Sequence, residues 1–231
     1  MLSLRQGLGL NSIRGVGAEW LPSNESSCEA WYQKGRLVTL NGSDVSTWGD
    51  SSGKTSSIPD MVQGEALLQP AYSNGILTFT GNEFLESAVN LPFADEFTIG
   101  MRFNDTTYSN TILASNDTTN ELIKIMDNNT IRIKLTEGAT IKQVDLDCDG
   151  GTTLGDSYVV LTRNSSDLCE MWVDGVKQSD NGTLAGTADI DCIGARATAS
   201  DKFVGTISEI QLFSEADDLL TSNVNSRLSN L

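Results

Sequence analysis

Asp145, Asp147 and Asp149 in VDLDCDGGTTLGD (residues 144–156) stand at the spacing of the first three ligands of a calcium loop. Gly150 falls where that loop turns sharply, and Asp156 falls on its twelfth position. Hard divalent cations take carboxylate oxygens, so these four residues are the candidate calcium ligands. The same letters have a plainer reading. Val144, Leu146 and Cys148 alternate with the three aspartates, the pattern of a strand with one buried and one wet face. A helix-loop-helix calcium site also needs a helix on each side and a closing bidentate Glu. Here Asp156 closes the loop, Thr152 takes the usual aliphatic place, and the flanks IRIKLTEGATIKQ and SYVVLTRN read as a hairpin and a strand. A strand with an acidic outer face is the preferred reading, with no cofactor expected and calcium as the lesser alternative. One hairpin register sets Arg132 opposite Asp145, a cross-strand pair contributing roughly a few tenths of a kcal/mol.

Little other reactive chemistry is available. The 231-residue chain has no histidine, which removes the commonest general base, the usual triads and most zinc and iron sites. Cys28, Cys148, Cys169 and Cys192 lie far apart without a CxxC pair. Free thiols are expected, with a disulfide as the lesser reading. Thirty-one acidic side chains against 15 basic ones leave a net charge of −16. No basic stripe is visible that could displace phosphate counterions, so neither nucleic acid nor a membrane surface is an expected partner. No run approaches the ~18 apolar residues of a spanning helix. The start, MLSLRQGLGLNSIRG, lacks the unbroken apolar core of a secretory signal. The sequons at Asn24, Asn41, Asn104, Asn116, Asn128, Asn164 and Asn181 then read as turn chemistry.

The elements that must position these residues are short strands. Turn dipeptides recur as Asn41-Gly42, Asn74-Gly75, Asp149-Gly150, Asp174-Gly175 and Asn181-Gly182. Between them, residues 75–81, 96–103, 110–115, 121–127, 130–135, 141–148, 157–163, 168–175, 189–195 and 205–213 suit strands. Tight connections leave no room for helical crossovers, so the sheets are antiparallel and form a sandwich. One helix is expected over about 214–231, with Ser214 as N-cap and Leu220, Val224, Leu228 and Leu231 as its apolar stripe. Residues 1–27 differ from the rest. They are glycine-rich, and Arg5 and Arg14 are the only charges before Glu19. Such an arm is either a frayed terminus or a docking segment that orders on a partner through Leu4, Arg5, Leu8, Leu10, Ile13 and Arg14.

Three stretches together resemble a known family. The first runs from Trp31 to Val45, Trp48, Asp50 and Gly53. The second is QPAYSNGILTFTGNEFLES, with Gln69-Pro70, Leu77, Phe79, Gly81 and Leu85. The third includes Trp172-Val173-Asp174-Gly175, Ile193-Gly194, Phe203, Gly205, Ile207, Glu209, Ile210 and Phe213. Their order is similar to laminin-G-like, concanavalin A-like jelly-roll domains, above all those of tailed-bacteriophage virion proteins, and covers about residues 28–225. The resemblance implies an all-β, two-sheet antiparallel jelly-roll sandwich over residues 28–231, behind a flexible N-terminal arm over 1–27 and closed by the C-terminal helix. Trp31, Trp48 and Trp172 then read as core residues first and sugar platforms second.

Jelly rolls of this shape include glycoside hydrolases, but the glucanase pattern Glu-x-Asp-x-(x)-Glu is absent, so no enzyme is expected. The resemblance points to a virion structural protein, assembled in the host cytoplasm and displayed as a capsid decoration or a neck or tail appendage. Its arm would dock on other virion proteins, and copies of the chain could assemble with one another. The alternative is a carbohydrate-binding adhesin that recognises host-surface glycans through its Asn- and Asp-rich loops.

Overall fold

The computed structural model describes residues 19–54, 60–93, 95–108, 110–196 and 201–231. The first third of the chain gives β1 (Cys28–Tyr32), β2 (Val38–Asn41), β3 (Asp44–Trp48), β4 (Met61–Val62), β5 (Ala71–Ser73) and β6 (Ile76–Thr80). The middle gives β7 (Leu85–Pro92), β8 (Phe97–Asp105), β9 (Thr111–Ala114), β10 (Leu122–Ile125), β11 (Thr130–Glu137) and β12 (Thr140–Asp147). Then follow β13 (Asp156–Arg163), β14 (Leu168–Val173), β15 (Val176–Thr183), β16 (Asp189–Ile193), β17 (Val204–Phe213) and the helix α1 (Asp218–Leu228).

Every pairing between these strands is antiparallel, and the architecture is a two-layer jelly-roll sandwich. One layer runs β15–β14–β13–β8–β17, with β6 on the first half of β17 and β1 on the second. The other runs β12–β11–β10–β9–β16–β7–β4–β3. At one edge β3, β5 and β6 carry hydrogen bonds from layer to layer. At the opposite edge β12 meets β15, where the Asp147 and Asp149 amides donate to Asp180 and Gln178 at 2.8 and 2.7 Å.

Period-two alternation builds the core. Ile131, Ile133 and Leu135 of β11 point inward against Val159 and Leu161 of β13 and Phe97, Ile99, Met101 and Phe103 of β8. The sheet of β8 and β13 is covered on its outer face too, because α1 lies there. Leu220, Val224 and Leu228 of α1 pack on Val160, Trp31, Cys28 and Phe213. The helix can approach because Gly100 of β8 has no side chain. A Cβ there would lie 2.5 Å from Val224 Cγ1 and 3.2 Å from Leu228 Cδ1.

All ten expected strand runs contain strands, and the Asn74-Gly75 and Asp174-Gly175 dipeptides form turns with both residues at positive φ. Three details differ from expectation. Asn181-Gly182 is not a turn but lies inside β15, with Asn181 opposite Glu170 and Gly182 opposite Cys169. Glycine serves there for clearance, since a Cβ would come 2.5 Å from Val144 Cγ2 of β12. The helix is shorter than 214–231, and Asp217, not Ser214, caps it by accepting the Leu220 amide at 2.8 Å. Ser214 instead donates to Glu29 Oε1 at 2.7 Å, tying the end of β17 to β1. Residues 19–27 of the expected arm are also pinned. Trp20 and Leu21 pack on the helix-side cluster, the Trp20 ring 6.1 Å from that of Phe213. Residues 1–18, and with them Leu4, Arg5, Leu8, Leu10, Ile13 and Arg14, lie outside the described residues.

Candidate functional site

The four aspartates of the calcium-like stretch are drawn to four different partners. Asp145 and Asp147 project outward from β12 while Leu146 is buried. Arg132, directly opposite in register, chelates Asp145 with Nε and Nη2 both at 2.7 Å. That hydrogen bonding holds the Asp145 carboxyl below the usual carboxylate range and raises the Arg132 guanidinium. Asp147 accepts from the Thr130 hydroxyl at 2.7 Å, and Asp149 from the amide and hydroxyl of Ser179 at 2.8 and 2.5 Å. Asp156 pairs with Arg102 at 2.9 Å. No group of three His, Cys, Asp or Glu placed to hold a metal ion occurs among the described residues. The four cysteines are free, and burial pushes each thiol up to about 12.

A better candidate lies at one end of the sandwich, where the β1–β2 loop meets the segment after β3. It is a pocket of about 270 Å³. Trp31, Leu21 and Leu37 contribute apolar lining. Gln33, Arg36 and Ser51 supply polar groups. The Gln33 Oε1 and Ser51 Oγ atoms are buried and have no hydrogen-bond partner among the described residues. Leaving a buried polar atom unpaired costs about 1–3 kcal/mol, and both atoms belong to residues that line this pocket. A volume of this order, lined by apolar and polar side chains together, sits at the small end of ligand pockets.

The backbone explains why these residues converge. The Ser51 amide donates to the Trp31 carbonyl at 2.7 Å, and the Gly49 amide to the Leu37 carbonyl at 2.8 Å. Asp50 Oδ1 accepts the Trp31 and Ser52 amides at 2.8 and 3.1 Å. Leu37 is held in the left-handed region at φ 52° and is 55% exposed. A leucine there costs on the order of 1–3 kcal/mol, a strain typical of ligand-facing loops.

Beside Trp31 sits a buried ion pair. Glu209 of β17, fully buried, accepts Arg227 Nε and Nη2 at 2.5 and 3.1 Å. The same carboxylate takes Trp31 Nε1 and Gln211 Nε2, each at 2.8 Å, and the Lys34 amide at 3.3 Å. Arg227 also stacks over the Trp31 ring at 4.7 Å. One carboxylate thus fixes the tryptophan, the β1–β2 loop and the helix together. Trp31 and Trp48 are buried as expected of core residues, whereas Trp172 is half-buried with Lys177 5.1 Å from its ring centre. Sequence reading did not find Gln33, Arg36 or Ser51, since loop polarity carries no sign of which loops meet.

Fold and site together define an all-β jelly-roll sandwich with an end-on loop pocket. Neither a protein-family model nor a curated protein sequence matches the chain. Solved structures do. Domain 4 of AbnA, a GH43 extracellular arabinanase from Geobacillus stearothermophilus, solved in complex with arabinotriose, superposes at a TM-score of 0.58 with 16% identity. That match covers 88% of this chain and 98% of that one. The binding domain of botulinum neurotoxin DC, solved with rat synaptotagmin II, gives 0.56 and 14% over 88% of this chain and 52% of the other. Trypanosoma rangeli sialidase gives 0.54 and 14% over 89% and 33%. A match to NanB sialidase from Streptococcus pneumoniae covers only 24% of that chain, at a TM-score of 0.45. At these identities the likeness shows the shared fold.

Proposed function

We propose that this protein is a non-catalytic glycan-recognition module. The observation that carries the reading is the loop pocket of about 270 Å³, lined by Trp31 and by Gln33 and Ser51, each of which holds an unpartnered buried polar atom. The fold shared with an arabinanase domain solved in complex with arabinotriose supports it. Glycoside hydrolysis needs two carboxylates flanking the bond. Of the described residues lining the pocket only Asp50 is acidic, and its oxygens already accept from Trp31 and Ser52. The setting we propose is the one the family resemblance implies, display on a tailed-phage particle with residues 1–18 as the attachment to other virion proteins.

The test is a glycan array followed by calorimetry with the full chain and two variants, Gln33→Met and Ser51→Ala. Each variant removes one unpaired polar atom with little change of volume. We expect about tenfold weaker binding for each, from the loss of one hydrogen bond in a desolvated site, and a Tm that is unchanged or higher. Binding untouched by both variants, or none to any glycan, overturns the reading. Deleting residues 1–18 should leave a folded sandwich that no longer co-sediments with particles. Retained co-sedimentation would move attachment onto the sandwich.

A further inference from the structure

The outward face of β10 and β11 gathers positive charge in a chain that is strongly negative overall. Lys124 of β10 lies directly opposite Arg132 of β11, and Lys134 follows Arg132 two residues on along the same face. Arg196, just beyond β16, joins them through Asp201, whose Oδ2 takes Lys124 Nζ at 3.1 Å and Arg196 Nη2 at 2.9 Å. Asp145 is occupied by the two contacts from Arg132. Among the described residues the ion pairs of this face go to two carboxylates, Asp145 and Asp201. Lys134 is half-buried, and its side chain makes no hydrogen bond or ion pair among the described residues.

Like charges opposed across a sheet are destabilising, and an unpaired ammonium among three other cations is more so. Its surroundings register on Lys134 itself. Burial, and then Arg132, Arg196 and Lys124, hold its ammonium pKa below the usual lysine value against the opposing charge of Asp145. With 31 acidic side chains in the sequence, a cluster left short of counter-charges is not a consequence of composition. An anion seated on Lys134 would supply the missing charge.

We propose that this face is a recognition site for an oxyanion, a carboxylate or sulfate group borne on an acidic glycan, with Lys134 as its central contact and Arg132, Lys124 and Arg196 around it. The carrier rests on the glycan reading above; the anion site does not. It lies on a sheet face built from β10 and β11, whereas the loop pocket is built from the segments around β1 and β3. The module would then prefer acidic polysaccharides to neutral ones.

The test uses the full chain with Lys134 side-chain NMR signals as the reporter. Sodium sulfate and oligogalacturonate are titrated separately at constant ionic strength, with neutral arabino-oligosaccharides as the comparison. We expect both anionic probes to shift the Lys134 signals. Lys134→Gln should weaken oligogalacturonate binding about tenfold, Lys134→Arg should retain it, and Arg36→Ala in the loop pocket should leave the sulfate response unchanged. A merely structural lysine would lower the Tm on replacement. Here Lys134→Gln should keep or raise it, since one member of a repelling group is gone. A sulfate response without an oligogalacturonate response would uphold the anion site and overturn its glycan carrier. If neither probe moves Lys134, the site is refuted whatever the loop pocket binds.

Discussion

Replacing Glu209 with methionine should be the most damaging single change near the loop pocket. The substitution keeps roughly the same volume but removes the acceptor for the Trp31 indole, the Gln211 amide and two nitrogens of Arg227. Arg227 would be left as a charge whose side chain is only 7% exposed, with Glu19 at 3.9 Å as its remaining acidic neighbour. That neighbour is 80% exposed and offers little in return. Breaking one side of a buried pair costs about 3–5 kcal/mol, a fifth or more of the roughly 5–15 kcal/mol that holds a domain together. In urea, with a slope of about 2 kcal/mol per molar, the unfolding midpoint should fall by roughly 1.5–2.5 M. Tryptophan fluorescence is the natural readout, because Trp31 sits on the pair. The double variant Glu209→Met, Arg227→Met should recover most of the loss, because an apolar pair of similar size is often neutral. A single variant that loses less than about 1 kcal/mol would refute the reasoning, and so would a double variant no more stable than the single one.

Two further outcomes follow from the geometry. Gly100→Ala should destabilise the protein by about 1–3 kcal/mol and loosen α1, because the new methyl meets Val224 Cγ1 at 2.5 Å. Hydrogen exchange over Asp218–Leu228 checks it, and unchanged protection there would count against the close approach. The Asp145 carboxyl, held low by Arg132, contributes stability that is present above the ordinary carboxylate range and is lost only as pH falls through its depressed value. Arg132→Gln should return the carboxyl to the ordinary range in an NMR titration, and an unmoved titration would mean that the pair does not form in solution.

Where one face of a strand is wet and the other buried, the sequence was legible. The alternation of Ile131, Ile133 and Leu135 with Arg132 and Lys134 gave β11, and the same rule gave Arg132 opposite Asp145. β1, β3 and β7 were not among the expected runs, and neither were four others. β2 and β5 are largely exposed, β4 has two residues, and β15 carries the Asn-Gly pair of a turn. In β15 clearance against Val144 outweighs the local turn preference, which a one-dimensional reading cannot show. Asp217 displaced Ser214 as helix cap for a related reason. Ser214 is committed to Glu29 across β1 and β17, and that contact is nearly two hundred residues long in sequence.

The loop pocket and the cation cluster were both invisible in sequence because each is assembled from segments far apart along the chain. Gln33 and Ser51 converge only because the Ser51 amide closes onto the Trp31 carbonyl. Lys124, Lys134 and Arg196 converge only because β10 pairs with β11 and Asp201 bridges Lys124 to Arg196. A net charge of −16 argues against broad attraction to polyanions and still permits a local positive site. Composition fixes the far field, which salt screens within about 8 Å, whereas a bound carboxylate or sulfate responds to the few charges inside that distance. In β11 and β12 both signs come from one hairpin. Arg132 is spent on Asp145, and Lys134, two residues on and opposite the neutral Gln143, is left to act on something outside the chain.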